Sequence, residues 1–130
     1  MSRFTIVIMV LTLGLVSCSW QADISVAPKE LVGTWEARDI RPGEQWQITY
    51  KTNGIWQGKG RLIMDDVPLE FTAKGNWKLD GARLSYDTTS VSDNRIPRPS
   101  GVDTLVAVTT NRFDYKPSGR NEITHRYRAE

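Results

Sequence analysis

The chain has 130 residues, with 17 Lys and Arg against 15 Asp and Glu and a net charge of +2. So even a balance provides no field that would gather nucleic acid or a strongly acidic partner. A single cysteine and a single histidine leave no disulfide framework, and they argue against a zinc site, which needs three or four ligands, and against His-assisted nucleophilic catalysis.

Residues 1–3 carry one positive charge, Arg3, and residues 4–16 form an almost unbroken apolar run. At about thirteen residues the run is short of the ~20 that a membrane-crossing helix requires. Residues 1–17 therefore read as a signal peptide. Cys18 stands where such a leader ends. An odd thiol in an oxidising compartment calls for a chemical reason. The run Leu15, Val16, Ser17, Cys18 resembles the lipobox of bacterial lipoproteins. That resemblance implies cleavage before Cys18, acylation of its thiol (palmitate among the chains), and anchorage to a membrane of the bacterial cell envelope. Ser19 stands where inner-membrane retention typically uses Asp, which implies the outer membrane, facing the periplasm. One acyl chain holds only marginally at ~0.8 kcal/mol per buried methylene, whereas two or three persist. Residues 18–28 read as a tether without periodicity that ends at Pro28. Trp20 is either an interfacial ring or a solvated linker residue.

From residue 29 the pattern changes to short apolar-rich segments between turn residues. Residues 29–32 fit one helical turn and 33–40 a first strand, followed by a turn at 41–44. Residues 45–52 alternate, with Trp46, Ile48 and Tyr50 on one face. Asn53-Gly54 is a strong hairpin signal because both residues accept positive φ. Ile55–Met64 is the return strand, with Gly58 and Gly60 on the face of Trp56 and Leu62, where a strand glycine marks a bend or a close approach. Asp65 and Asp66 read as a solvated hairpin turn rather than a calcium or acid–base pair.

Leu69, Phe71 and Ala73 then alternate inward until Gly75 breaks the strand. Trp77 and Leu79 share a face in 76–79, and Asp80-Gly81 turns into 82–87 with Leu84 and Tyr86. Residues 88–101 form the longest irregular stretch. Residues 102–110 are β-branched and suit burial on both faces. Arg112–Lys116 places Phe113 with Tyr115, and 121–128 sets Ile123, His125 and Tyr127 against Glu122, Thr124, Arg126 and Arg128. Eight or nine short strands in sequential hairpins predict an all-β antiparallel up-and-down meander. Closing it into a small β-barrel removes its edges; a sandwich is the alternative.

At Gly33-Thr34-Trp35, preceded by a short helical turn at the head of a meander, the chain is similar to lipocalin-like domains, over residues 29–130. Gly54, the run Gly75-Asn76-Trp77 leading to Leu79, Leu84 and the Phe113 strand add to the likeness with small bacterial lipocalin-like lipoproteins. The resemblance implies that a late arginine packs across Trp35 at the closed end of the barrel. Arg126 and Arg128 both qualify, and strand parity leaves the choice open.

Most of the aromatics are expected in the core, since an eight-stranded barrel is filled by side chains or holds one small ligand. The ligand-binding candidates are Trp46, Tyr50, Trp56 and Trp77, with His125 read first as a hydrogen-bonded core residue and second as a ligand contact. In the stretch 88–101, Arg95, Ile96 and Arg98 are candidates for meeting a protein partner or an anionic headgroup. The expected function is non-catalytic binding of a small apolar or amphipathic molecule by a membrane-anchored lipoprotein, with no catalytic residue, metal, cofactor or nucleic-acid partner. The alternative is an envelope protein–protein interaction module with a filled barrel.

Overall fold

The computed structural model describes residues 24–38 and 40–129. The leader, the acylation candidate Cys18 and Trp20 lie outside these residues. One helical turn, α1 (Pro28–Leu31), precedes eight strands: β1 (Gly33–Glu36), β2 (Gln45–Tyr50), β3 (Ile55–Met64), β4 (Val67–Asp80), β5 (Arg83–Val91), β6 (Gly101–Val108), β7 (Arg112–Lys116) and β8 (Thr124–Arg128). Each strand pairs antiparallel with the next. The last returns to the first through Trp35↔Arg128 and Glu36↔Tyr127, so the sheet is a closed barrel and not a sandwich.

One end of the barrel is sealed. The α1 turn is started by Pro28 and capped where the Glu30 carboxylate accepts the Ala27 N–H at 2.8 Å. It lays Leu31 across the barrel end, and the Trp35 indole donates to the Leu31 carbonyl at 2.8 Å. Val26 joins them, held by its N–H on the Gly81 carbonyl. Leu31, Trp35, Leu84, Leu105 and Phe113 are fully buried there. Phe113 meets the Trp35 ring edge-on at 4.8 Å, a favoured aromatic geometry.

Arg128 is the arginine that covers Trp35. Its guanidinium carbon lies 3.9 Å from the indole centroid, and it donates to the Val32 and Thr110 carbonyls at 2.9 and 3.0 Å. Gly33 makes this possible: its φ is +131°, and a Cβ there would collide with the Arg128 Nη1. Arg126, the other candidate, lies farther up the same face of β8, toward the open end.

Beyond shorter first and last strands, which span Gly33–Glu36 and Thr124–Arg128, four features differ from the sequence reading. The strand predicted to stop at Gly75 runs on through it, because a register shift between Lys74 and Gly75 absorbs the irregularity as a bulge. Strand β5 continues to Val91, so the irregular stretch begins at Ser92. Strand β6 is buried on one face only; Leu105 is inside and Val106 outside. Strand β8 is turned the other way, with Arg126 and Arg128 inward and His125 and Tyr127 outward. The reason is that both inward cations find aromatic faces and backbone carbonyls, while the outward rings find Asp114 and Arg38.

Candidate functional site

Above the sealed end the barrel holds a cavity of about 280 Å³. Its walls follow from the two-residue period of each strand: Trp46, Ile48 and Tyr50 from β2, Trp56, Gly58 and Leu62 from β3, Phe71 and Ala73 from β4, Phe113 and Tyr115 from β7. The space arises because Gly58 and Ala73 are cross-strand partners, so two nearly bare positions stand side by side in an otherwise aromatic lining. Trp56 is fixed by its indole N–H on the Asp87 carbonyl at 2.8 Å, reaching across β4 at Gly75, where any Cβ would strike Trp56 and the Asp87 carbonyl.

The mouth is covered by the loop 92–100. Ile96 is buried, and Pro97 and Pro99 line the cavity with it. Asp93 fixes the bend: its carboxylate accepts the Arg95 N–H at 2.9 Å and pairs with the Arg95 guanidinium at 2.8 Å. That pairing holds the Asp93 carboxyl at about 2, well under its ordinary range.

The lining also carries polar side chains, among them Arg126, Asp103, Tyr86, Thr88 and Gln47. Arg126 places its guanidinium 4.5 Å from the Trp46 ring centroid and 5.1 Å from that of Tyr115, an attractive arrangement for a cation over aromatic faces. Its Nη1 donates to the His125 carbonyl at 2.9 Å. The Asp103 carboxylate accepts the Ser118 N–H at 3.1 Å and lies beside the Tyr86 hydroxyl. Burial raises the Asp103 pKa above the usual carboxylate value, against the opposing pull of the Ser118 N–H and the Arg126 charge. Burial, with the Asp103 charge, raises Tyr86, and burial pushes the Tyr115 phenol up to about 12. Both phenols therefore serve as neutral hydrogen-bonding groups near pH 7.

The five ligand-binding candidates divide. Trp46, Tyr50 and Trp56 line the cavity together. Trp77 does not: it packs edge-on against Tyr50 at 5.3 Å and donates to the Lys51 carbonyl at 3.0 Å, below the cavity. His125 is not inside at all. Its Nδ1 is 2.5 Å from the Asp114 carboxylate on the outer face, and Asp114 also pairs with Arg112 at 3.0 Å. In the loop, Ile96 turns inward and Arg95 is held by Asp93, while Arg98 is exposed.

Sequence reasoning set Tyr86 with Leu84 among the expected core aromatics but not among the ligand candidates, passed over Asp103, and met Arg126 only as a partner for Trp35. For Asp103 parity held the missing signal. Leu105 is a core residue, and counting back by two from it puts Asp103 on the inner face that Tyr86 shares with Leu84. Compared with protein-family models and with curated proteins, the chain matches none.

Proposed function

We propose that this chain is a non-catalytic binding protein of the bacterial cell envelope, holding one small apolar or amphipathic molecule inside the barrel and tied to a membrane through acyl chains on Cys18. The observation that carries the binding reading is the partly open cavity of about 280 Å³ walled by Trp46, Tyr50, Trp56, Phe71 and Tyr115. Its size sits at the lower edge of small-molecule sites, roughly 300–1,000 Å³, and a largely apolar lining with a few converging polar groups is their usual character. The leader pattern and the lipobox-like run ending at Cys18 support the anchor and the outer-membrane address. The inward turn of Ile96 supports cargo binding over a partner-gripping loop, because the loop's one large aliphatic side chain packs into the mouth.

The test uses the full-length protein purified from its own envelope. Mass spectrometry of an organic extract is expected to reveal one co-purifying molecule per chain, and the N-terminal peptide is expected to carry acyl groups on Cys18. Ala73→Leu fills the cavity from a position already facing it. It should cut occupancy at least tenfold while the thermal melt stays within a few degrees of wild type. Unchanged occupancy in that variant would remove the cavity as the binding place.

A further inference from the structure

The cavity carries one cation and one anion that do not pair with each other. Among the described residues no ion pair joins Arg126 to Asp103, although each lines the cavity and the Arg126 charge acts on Asp103. Each is held by something else. Arg126 is stacked on Trp46 and Tyr115, with a single hydrogen bond to the His125 carbonyl, and so keeps donors on its edge. Asp103 is held by the Ser118 N–H, with the Tyr86 hydroxyl beside it, and keeps further acceptor positions. Two opposite charges held apart at the edge of an aromatic cavity form a divided site, with donors on one side and acceptors on the other.

A carboxylate or phosphate head would satisfy Arg126 but bring its charge against Asp103, a like-charge contact in a partly desolvated place. An ammonium head meets the reverse problem at Arg126. A pure hydrocarbon covers the remaining donors of Arg126 and acceptor positions of Asp103 without partnering them, which costs free energy. A neutral head with an acceptor and a donor side by side satisfies both.

We infer that the cargo of this cavity is a compact, ring-bearing molecule of no net charge whose single polar head is amide-like, its carbonyl accepting from Arg126 and its N–H donating to Asp103. This rests on the cargo-binding reading above and adds its chemical class. The aromatic walls take the ring, and the limited volume admits a bicyclic body rather than a long acyl chain.

The experiment is a calorimetric titration of full-length protein in lipid nanodiscs, near pH 7, with four compounds sharing one body. They are 2-naphthamide, 2-naphthoate, methyl 2-naphthoate and 2-methylnaphthalene. The amide is expected to bind about tenfold tighter than each of the other three, the margin that one or two well-made hydrogen bonds supply. Asp103→Leu and Arg126→Met should each collapse that margin to within about twofold. The wild-type ranking decides the question even where a variant folds poorly. Naphthoate binding tightest would overturn the inference in favour of an anion site on Arg126. Amide and methylnaphthalene binding equally would overturn it while leaving the cavity a hydrophobic cargo site. Failure of all four to bind, in protein stripped of any resident molecule, would sink the cargo reading itself.

Discussion

At the scale of single residues, the arginines of β8 explain most about the interior. Arg128 and Gly33 act as one device: the glycine leaves the gap that the guanidinium fills above Trp35. Gly33→Ala places a Cβ against that guanidinium at a φ of +131°, and we expect a loss of about 1–3 kcal/mol by chemical denaturation. Arg128→Lys keeps the charge but gives up the fork that reaches two carbonyls, with a similar expected loss of about 1–3 kcal/mol. A denaturation midpoint unmoved in both variants would show that the sealed end draws nothing from this contact.

Asp103 gives a test by pH. Its folded-state pKa lies above the usual 3.8 because burial penalises the ionised form. The stabilising contribution of its protonated form is therefore complete below about pH 4 and is lost as pH rises through the folded value. Asp103→Asn stays neutral throughout, so its melting temperature relative to wild type should rise between about pH 3 and pH 7. A difference that stays flat or falls over that interval would contradict the sign.

At the scale of elements, what the sequence made legible depended on which residues carry the alternation. Strand β2 was readable because Trp46, Ile48 and Tyr50 are large and their neighbours Gln45, Gln47 and Thr49 are polar. Strand β8 was not, because its inward positions hold arginines and its outward ones hold imidazole and phenol rings. A rule that sends apolar groups inward assigns it backwards, and only the neighbouring strands, with their aromatic faces and Asp114, reverse it. Gly75 read as a stop because no sequence signal separates a bulge from a break. The cavity was half legible: the aromatic walls were visible as candidates, whereas the open space comes from the Gly58↔Ala73 register, which only pairing defines.

The β3–β4 hairpin offers a stabilisation test. Met64 pairs with Val67, so Asp65 and Asp66 form a two-residue turn with φ of 51° and 63°. That geometry favours Asn-Gly. The double change Asp65→Asn, Asp66→Gly should therefore raise stability by about 0.5–2 kcal/mol, read from the denaturant midpoint. A lower midpoint would mean that the carboxylates do more than turn the chain.

At the scale of the whole molecule, the barrel is unevenly sewn. Strands β3 and β4 pair along their length, from Ile55↔Asn76 to Met64↔Val67, whereas β1 meets β8 at Trp35↔Arg128 and Glu36↔Tyr127. Local opening free energies follow such differences. Amide hydrogen exchange should therefore be faster by at least about tenfold at the β1–β8 seam than in the middle of β3 and β4, and equal protection would argue that the seam is reinforced from elsewhere. The sealed end also carries a direction. The chain reaches the barrel at Ile24 and Val26, on the side opposite Ile96 and the mouth. Under the Cys18 anchor proposed above, the attachment would join the barrel at its sealed base and leave the mouth at the far end, so cargo would be exchanged with the aqueous compartment rather than with the leaflet beneath.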